Sequence, residues 1–239
     1  MERKVRSWIK SLTWRVLGII ILVSISFAYT CDIKQTTAIT LIFHLIRFIL
    51  YYIHERIWLK FSWGKIPGLV IWFTGLPCSG KTTLAKALKK ILEKSGFKVE
   101  HLDGDIIRKT KLSSDLGFSK GDREKHLRRI GVLTHFLSKN GTIVLCSFVS
   151  PYRKIRKELR GSIHNFIEVY VKCPKKECIR RDVKGMWKKA LQGEIKDFTG
   201  VGSPYEPPLK PHIIVDTNKD NIDTCIKKIL KYLKRRKLL

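Results

Sequence analysis

Two apolar segments near the start of the chain predict helices that cross a membrane. Residues 16–30 are almost uninterrupted apolar sequence, and residues 36–53 form a second run that only His44 and Arg47 interrupt. A helix that spans a bilayer needs about 20 predominantly apolar residues, with a range of about 17 to 25. The second run reaches this length, whereas the first reaches it only if residues 12–15 are added or the bilayer thins locally. We therefore predict an α-helical transmembrane hairpin.

After residue 65 the pattern changes to short runs that alternate with segments of mixed charged and apolar residues. Runs with the length and residue types of β-strands occur at residues 69–74, 98–102 and 142–146. Helical spacing follows the first of these runs from residue 83. Strands that alternate with helices are typical of an α/β domain. We therefore predict two domains, a two-helix membrane anchor at residues 1–65 and an α/β domain at residues 66–239.

Lysine and arginine residues predict the orientation of the two apolar segments. They cluster before the first run and after the second, while the loop between the runs carries only Lys34 beside Asp32. Because positive residues favour the cytoplasmic ends of membrane helices, both termini should be cytoplasmic. The pattern predicts a multi-pass protein of the cytoplasmic (inner) membrane, with the lipid bilayer as a partner and the α/β domain facing the cytosol. A cleaved signal peptide is the alternative, but no small-x-small cleavage site follows Ala28 and a second apolar run comes next.

The net charge changes which further partners are expected. The chain carries 48 lysine and arginine residues against 20 aspartate and glutamate residues, a formal net charge of +28. This excess implies an anionic partner, namely nucleic acid, acidic lipid headgroups or phosphorylated small molecules. No nucleic-acid-binding motif accompanies the charge, so no nucleic-acid partner is expected. The six cysteines are scattered without a paired framework, as in reduced cytosolic proteins.

Candidate chemistry begins with a phosphate-binding loop. Residues 75–82 read Gly-Leu-Pro-Cys-Ser-Gly-Lys-Thr, which matches the pattern G-x-x-x-x-G-K-T between a predicted strand and a predicted helix. The glycines let backbone N–H groups point at phosphate, Lys81 reaches the outer phosphates and Thr82 can ligate Mg²⁺. We therefore predict ATP and Mg²⁺ as cofactors. The predicted ATP-binding residues are Gly75, Pro77, Cys78, Ser79, Gly80, Lys81, Thr82 and Thr83, with Thr82 also the metal ligand.

Two acidic residues follow the second predicted strand. Asp103 and Asp105 stand where a parallel strand ends, and carboxylates at that position lie over the phosphate loop of such a fold. One of them can accept a hydroxyl proton or hold Mg²⁺ through water. Arg108, three residues further on, can bind a substrate phosphate with two hydrogen bonds. These residues indicate transfer of a phosphoryl group to a bound acceptor.

Six motifs in order along the chain resemble the adenylylsulfate kinase family. They are GLPCSGKTT at residues 75–83, LDGD at 102–105, LGFSKGDR at 116–123, SPYR at 150–153, RDVKGMWKKA at 181–190 and FTGVGSPYEPP at 198–208. Members of this family phosphorylate the 3′-hydroxyl of adenosine 5′-phosphosulfate (APS) with MgATP, giving PAPS and ADP for sulfate assimilation or sulfation. The resemblance covers nearly all of residues 72–206. It implies a P-loop NTPase-type parallel sheet of about five strands flanked by helices, APS as the substrate, and a homodimer.

The first 65 residues also resemble a small two-helix membrane domain of unknown function. The resemblance rests on Thr13-Trp14-Arg15 near the start and on the run at residues 51–58. It implies an anchor and no activity of its own.

The kinase resemblance also implies roles for individual residues. Phe118 and Phe198 would sandwich the adenine of APS, and both are expected as exposed stacking platforms because neither lies in an amphipathic pattern. Arg108 and Arg123 would hold the phosphosulfate. The implied catalytic residues are Lys81, Asp105 as base or Mg²⁺ organiser, Lys184 near the transferring phosphoryl group, and Ser150, a substrate contact that some members phosphorylate. The implied substrate-binding residues are Asp103, Arg108, Phe118, Arg123, His126, Ser150 and Phe198.

Two basic segments remain to be placed. Residues 172–196 have the pattern of a basic helix, which in this fold would be a lid over ATP. Residues 226–239 alternate apolar and basic residues at helical spacing. This second pattern indicates either a helix on the membrane surface or a closing helix with a basic end.

One departure from the family pattern leaves alternatives open. The family usually carries asparagine three residues after the arginine that matches Arg123, and this chain carries His126. A histidine donates or accepts at one nitrogen and becomes charged near a pH of about 6.5, which affects acceptor binding. A P-loop kinase of another nucleotide or sugar is therefore one alternative, and a membrane-held nucleotide-sensing subunit is another. Intact Lys81, Thr82 and Asp105 oppose the sensing subunit.

Overall fold

The computed structural model describes residues 4–60 and 68–239 of the chain. The chain divides into two compact units, Met1–Gly64 and Lys65–Leu239. The domain boundary predicted between residues 65 and 66 lies outside the described residues.

The first unit contains two long helices, α1 (Lys4–Thr30) and α2 (Ile33–Lys60). The turn between them is fixed by hydroxyl groups, because Thr36 Oγ1 donates to the carbonyl of Asp32 at 2.8 Å and lies 3.0 Å from Thr30 Oγ1. Among the described residues, the segment Ile33–Ile53 is long and apolar enough to cross a membrane. The apolar part of α1, Gly18–Thr30, is shorter. Both apolar segments are therefore helical as predicted, and within residues 4–60 only the second has spanning length.

The second unit is built on a sheet of five parallel strands. The strands are β1 (Leu69–Thr74), β2 (Val99–Asp103), β3 (Ile143–Ser147), β4 (Phe166–Lys172) and β5 (Ile213–Asp216), in the order β2-β3-β1-β4-β5. The helices are α3 (Lys81–Lys94), α4 (Gly104–Ile107), α5 (Lys120–Lys139), α6 (Arg153–Ser162), α7 (Lys175–Arg181), α8 (Met186–Leu191) and α9 (Ile222–Arg235). The predicted P-loop NTPase-type α/β fold is confirmed.

The central strand β1 is buried on both faces. Leu69, Ile71 and Phe73 pack into one cluster with apolar residues of α3 and α9, while Val70 and Trp72 pack into a second cluster with residues of α5 and α6. Successive side chains of a strand point to opposite faces, so a continuous apolar run fills both layers. This packing holds β1 between β3 and β4, with every strand ending at the same edge of the sheet. We call that edge the carboxyl edge and the opposite one, where the strands begin, the amino edge.

The two basic segments take different forms. The single helix predicted over residues 172–196 is wrong, because a turn at residues 182–185 separates α7 from α8. Gly185 has φ of 65°, a left-handed conformation that favours glycine. At the end of the chain, Ile226, Ile229 and Leu233 of α9 are buried in the core. Of the two interpretations of this segment, the closing helix with a basic end is therefore confirmed.

Candidate functional site

The phosphate loop connects β1 to α3 at the carboxyl edge. A side chain at Gly75 would place its Cβ 2.5 Å from the carbonyl oxygen of Val171, so only glycine fits there. Gly80, at the N-cap of α3, has φ of 95°. Both glycines of the motif are therefore required by the backbone path. The N-terminus of a 14-residue helix stands directly behind the loop, which adds positive potential for phosphate.

Lys81 lies inside this loop. Its side chain is buried, and Nζ donates to the carbonyls of Gly75 at 3.0 Å and Leu76 at 2.7 Å. Burial lowers the pKa of Lys81 to about 8. The amine is therefore still a cation at neutral pH, in a position to meet phosphate oxygens.

Thr82 and Asp103 form a pair of oxygen donors beside the loop. Thr82 Oγ1 donates to Asp103 Oδ2 at 2.7 Å, and the other carboxylate oxygen accepts from the backbone N–H of Asp105 at 3.0 Å. Mg²⁺ in nucleotide sites usually takes one or two protein oxygens and shares phosphates and waters. No cluster of three or more histidine, cysteine or acidic residues occurs within residues 4–60 and 68–239. The donor pair therefore fits a magnesium ion held jointly with nucleotide, and the substrate contact of Asp103 stays a prediction.

Asp105 and Lys184 meet across the opening of the site. Lys184 Nζ donates to Asp105 Oδ2, and both side chains remain more than half exposed. This hydrogen bond raises the pKa of Lys184. Because Lys184 lies in the turn between α7 and α8, the break in the basic segment is what lets this cation reach the acidic side of the loop.

Phe118 and Arg108 form an exposed pair on the acceptor side. The Phe118 side chain is 55% exposed, as predicted. The guanidinium carbon of Arg108 lies 4.4 Å from the ring centroid, and Nη1 donates to the carbonyl of Gly117 at 2.9 Å. An aromatic face with a cation over it suits a planar base that carries an anionic group.

Phe198 is not the exposed platform that was expected. The side chain is 8% exposed and packs edge-to-face against Trp187, with ring centroids 5.0 Å apart. Gly200 permits this contact, since a Cβ there would lie 2.6 Å from the Trp187 ring. Phe198 is buried because its aromatic partner, Trp187, comes from α8, eleven residues earlier in the chain.

The Arg123 guanidinium forms hydrogen bonds with protein groups on two other segments. It is buried, and Nε donates to the carbonyl of Phe118 at 2.7 Å, while the terminal nitrogens donate to the carbonyl of Asp197 and to Thr199 Oγ1. The guanidinium was expected to hold phosphosulfate. In the structure it instead ties the two phenylalanine-bearing segments together, which is a positioning role.

Ser150 also differs from its expected role. The side chain is 2% exposed, and Oγ accepts a hydrogen bond from Trp72 Nε1 at 2.8 Å. The residue has φ of 45°, so the backbone turns sharply there. This arrangement does not present the hydroxyl to a substrate, because it is buried against Trp72 of β1. A phosphorylated Ser150 stays a prediction.

His126 is buried beneath the acceptor side. Nδ1 lies 2.7 Å from Ser113 Oγ, and the ring packs against Phe148 with centroids 5.6 Å apart. Nε2 is buried and has no hydrogen-bond partner among the described residues. Burial, with help from Arg108, lowers the pKa of His126 to about 4. The expectation of a charge near pH 6.5 is therefore wrong, and the ring is neutral at physiological pH.

We expect His126 to make the kinase domain less stable in acid. An unfolded chain takes up a proton at this site below pH 6.5, the usual value, whereas the folded protein does so only near pH 4. The difference corresponds to a loss of about 3 kcal/mol as pH falls across that range. As pH falls from 7 to 5, the melting temperature of the unmodified protein should therefore fall further than that of His126→Asn. His164→Asn, at an exposed histidine, is the control, and an equal effect in both variants would contradict the assignment.

Two further residues shape the site and were missed. Arg156 is buried, forms an ion pair with Glu168 at 2.9 Å and donates to the carbonyls of Ser150 and Glu206. Thr217, which follows β5, donates through Oγ1 to the carbonyl of Ser79 in the phosphate loop at 2.8 Å. Arg156 lies three residues beyond the SPYR motif, which was a signal for its segment. Thr217 carries no motif and is identified only by its contact.

Nucleotide phosphates and an anionic acceptor would thus meet at one edge of a parallel sheet, with a lysine, a magnesium-type donor pair and an acidic residue between them. That arrangement is typical of a P-loop kinase.

Comparison with known proteins agrees with this class. Residues 67–216 match the family model for adenylylsulphate kinase, and residues 8–59 match a model described as a predicted membrane protein (DUF2061). The adenylyl-sulfate kinase of Rippkaea orientalis (strain PCC 8801 / RF-1) is 52% identical over 165 residues, which are 69% of this chain and 91% of that protein. The chain belongs to the adenylylsulfate kinase family.

Solved structures are similar over the same region. The structure of the Mycobacterium tuberculosis APS kinase CysC in complex with AMPPNP and APS aligns with a TM-score of 0.67 and 36% identity, covering 70% of this chain and 98% of that one. The hexameric APS kinase from Thiobacillus denitrificans aligns with a TM-score of 0.55 and 33% identity, covering 73% of this chain and 30% of that one.

Proposed function

We propose that the chain is a membrane-associated adenylylsulfate kinase that transfers the γ-phosphoryl group of ATP to the 3′-hydroxyl of APS, giving PAPS and ADP. One observation carries the proposal: the phosphate loop with Lys81 and the exposed Phe118–Arg108 pair open onto the same edge of the sheet. The first group fits nucleotide phosphates, and the second fits a base linked to an anionic group. Membership of the family supports APS as the acceptor.

The roles of the residues follow from this placement. Thr82 and Asp103 would hold Mg²⁺, which when bound neutralises charge on the β- and γ-phosphates. Lys81, inside the loop, would neutralise charge on the outer phosphates. Lys184 lies at the opening of the site, where it would neutralise charge on the transferring phosphoryl group. The bond from the γ-phosphorus to its bridging oxygen breaks as the bond to the 3′-oxygen forms. Asp105 would accept the hydroxyl proton, because its carboxylate is exposed at the opening of the site, where Lys184 positions it.

The direct test is turnover by the full chain in nanodiscs supplied with MgATP and APS. PAPS and ADP should appear in equal amounts, with no ADP formed when APS is omitted. ATP consumption with sugars or other nucleotides, but none with APS, would favour the kinase of another acceptor. Binding of ATP and APS without any product would favour the nucleotide-sensing subunit.

Replacing Phe118 with alanine should weaken acceptor binding selectively. Stacking of a base on an aromatic ring contributes about 1–3 kcal/mol, so the KM for APS should rise by about 5- to 150-fold while the KM for ATP stays nearly constant. Phe136→Ala removes an equally exposed phenylalanine from α5 and is the matched control. Equal changes in the two KM values, or no change in either, would show that Phe118 is not the acceptor platform.

The proposed location is the cytoplasmic (inner) membrane, with two membrane segments and the kinase domain in the cytosol. The basic residues that flank the apolar helices and the match to a membrane-protein model support it. Protease added to inverted membrane vesicles should remove the kinase domain, while right-side-out vesicles should protect it. The opposite pattern of protection would contradict the proposed orientation. A homodimer remains a prediction, which the mass of the solubilised chain tests.

A further inference from the structure

A basic cavity lies at the amino edge of the sheet, opposite the phosphate loop. Its volume is about 670 Å³. The basic and imidazole side chains that line it are His135, Arg160, His164, His212 and Arg236. No acidic side chain lines it in the described part of the chain. The cavity and the kinase site stand at opposite ends of β4, which begins at Phe166 and ends at Lys172. A strand of seven residues is about 20 Å long, so the cavity is no part of the phosphoryl-transfer site.

The hydrogen-bond donors that line the cavity make few hydrogen bonds within the protein. Arg160 makes one long hydrogen bond, 3.3 Å to the carbonyl of Lys210, and within residues 68–239 neither Arg160 nor Arg236 pairs with a carboxylate. His212 Nδ1 accepts from the backbone N–H of Glu168 at 2.9 Å, which leaves the proton on Nε2. Two guanidinium groups and an imidazole N–H are therefore free to bind one anion.

The surface around the cavity is basic as well. The carboxyl ends of α3, α5, α6 and α9 meet at this edge, and their last turns contain Lys94, Lys139, Arg160, Lys234 and Arg235. Basic residues at helix carboxyl ends also complement the helix dipole. That explanation does not cover Lys98, Lys210 or Lys237, which lie outside the helices. The amino edge thus carries more positive charge than its helices require.

The connection from the apolar helices enters the kinase domain beside this cavity. Gly68 precedes β1, and its carbonyl accepts from Asn165 Nδ2 at 3.1 Å, where Asn165 is itself a lining residue. Only residues 61–67 intervene between α2 and this point. The amino edge is therefore the side of the kinase domain at which the chain arrives from the apolar helices. The basic edge and the point of attachment coincide.

We propose that the amino edge is a docking surface for anionic lipid headgroups, with a headgroup phosphate bound in the cavity between Arg160, Arg236 and His212. The proposal rests on the proposed membrane location. It deepens that location by assigning the domain an orientation: the amino edge faces the lipid, and the carboxyl edge, with its nucleotide and acceptor sites, faces the cytosol. Docking in this direction leaves the substrates free access.

The test is hydrogen exchange of the full chain in nanodiscs of neutral phosphatidylcholine and in nanodiscs that also contain phosphatidylglycerol. Backbone amides at residues 160–166 and 234–238 should exchange about threefold or more slowly over the anionic lipid, and high salt should remove the difference. Amides of the phosphate loop, at residues 75–82, should exchange equally in both. Equal exchange of the amino edge over neutral and anionic lipid would overturn the proposal.

A matched pair of double variants distinguishes an effect of the amino edge from an effect of net charge. Arg160→Glu with Arg236→Glu should abolish the lipid-dependent protection. Lys111→Glu with Lys219→Glu makes the same change of charge at two exposed lysines in the loops that follow β2 and β5, and it should keep the protection. Equal loss in both would mean that net charge alone acts. PAPS formation in neutral nanodiscs reports whether each variant folds and tests the kinase proposal separately. If the first pair fails to fold, Arg160→Gln with Arg236→Gln replaces it.

A last arm distinguishes the lipid from a soluble anion. Inorganic phosphate is added to the full chain in neutral nanodiscs, and it should leave exchange at residues 160–166 unchanged. Protection by phosphate equal to that over anionic lipid would overturn the docking surface and indicate a site for a small anion.

Discussion

PAPS formation should fall by about 10²- to 10³-fold or more when Lys81 is replaced by alanine. The ammonium group is fixed inside the phosphate loop by the carbonyls of Gly75 and Leu76, so it is already in place for the charge of the transferring group. Phosphoryl transfer depends mainly on positioning and charge neutralisation. Within residues 75–82 no other side chain is basic, so none can replace Lys81. The measurement is the initial rate of PAPS formation with MgATP and APS, using the full chain in nanodiscs.

The control for this prediction is Lys86→Ala, because Lys86 is an exposed lysine of the same helix. Its rate should match that of the unmodified protein. Hydrogen exchange of β1 shows whether the Lys81 variant keeps its fold. A Lys81→Ala protein that is folded and retains most of its activity would contradict the assignment of the phosphate loop as the ATP site.

The phosphate loop could be predicted because the whole feature is local. Eight consecutive residues set its backbone path, and the strand before it and the helix after it are visible in the same stretch of sequence. Asp103 and Asp105 were found for a related reason, since the end of a parallel strand fixes their edge of the sheet. The structure adds which of the two carboxylates meets Thr82 and which meets Lys184.

Residues whose surroundings come from distant parts of the chain could not be placed in this way. Ser150 is buried against Trp72, which donates a hydrogen bond to its hydroxyl and lies 78 positions away in the chain. Arg123 is committed because the segment containing Asp197 and Thr199 folds back onto α5. In each case the motif identified the correct segment, while the direction of the side chain depended on packing. Phe198 and His126 follow the same rule, with Trp187 and Ser113 as the partners that decide their burial.

The break between α7 and α8 is an intermediate case. Gly185 stands within the basic segment and is a recognised signal for a helix end. The surrounding lysines and arginines gave a continuous helical pattern that outweighed it. The turn has a consequence for the site, because it is the turn that carries Lys184 to Asp105.

The largest loss of stability is expected from Arg156→Ala, which should lower the free energy of unfolding of the kinase domain by about 3–5 kcal/mol. Arg156 and Glu168 are 2% and 8% exposed, so removal of the guanidinium leaves a buried carboxylate without its partner. The carbonyls of Ser150 and Glu206 lose their donor as well. The measurement is the free energy of opening from native-state hydrogen exchange of β1 amides in the full chain.

Arg128→Ala supplies the matched comparison, because Arg128 pairs with Glu158 at 2.7 Å on the surface, with both side chains more than 40% exposed. An exposed pair contributes at most about 1 kcal/mol, so the two variants should differ severalfold in their loss of stability.

Burial already raises the pKa of Glu168, and Arg156 opposes that rise. Without Arg156 the folded protein therefore binds a proton at Glu168 more readily than the unfolded chain does, and stability falls as pH rises. The deficit of Arg156→Ala should accordingly shrink as pH falls from 7 to 5. A deficit that is independent of pH, or no larger than that of Arg128→Ala, would show that the buried pair does not stabilise the kinase domain.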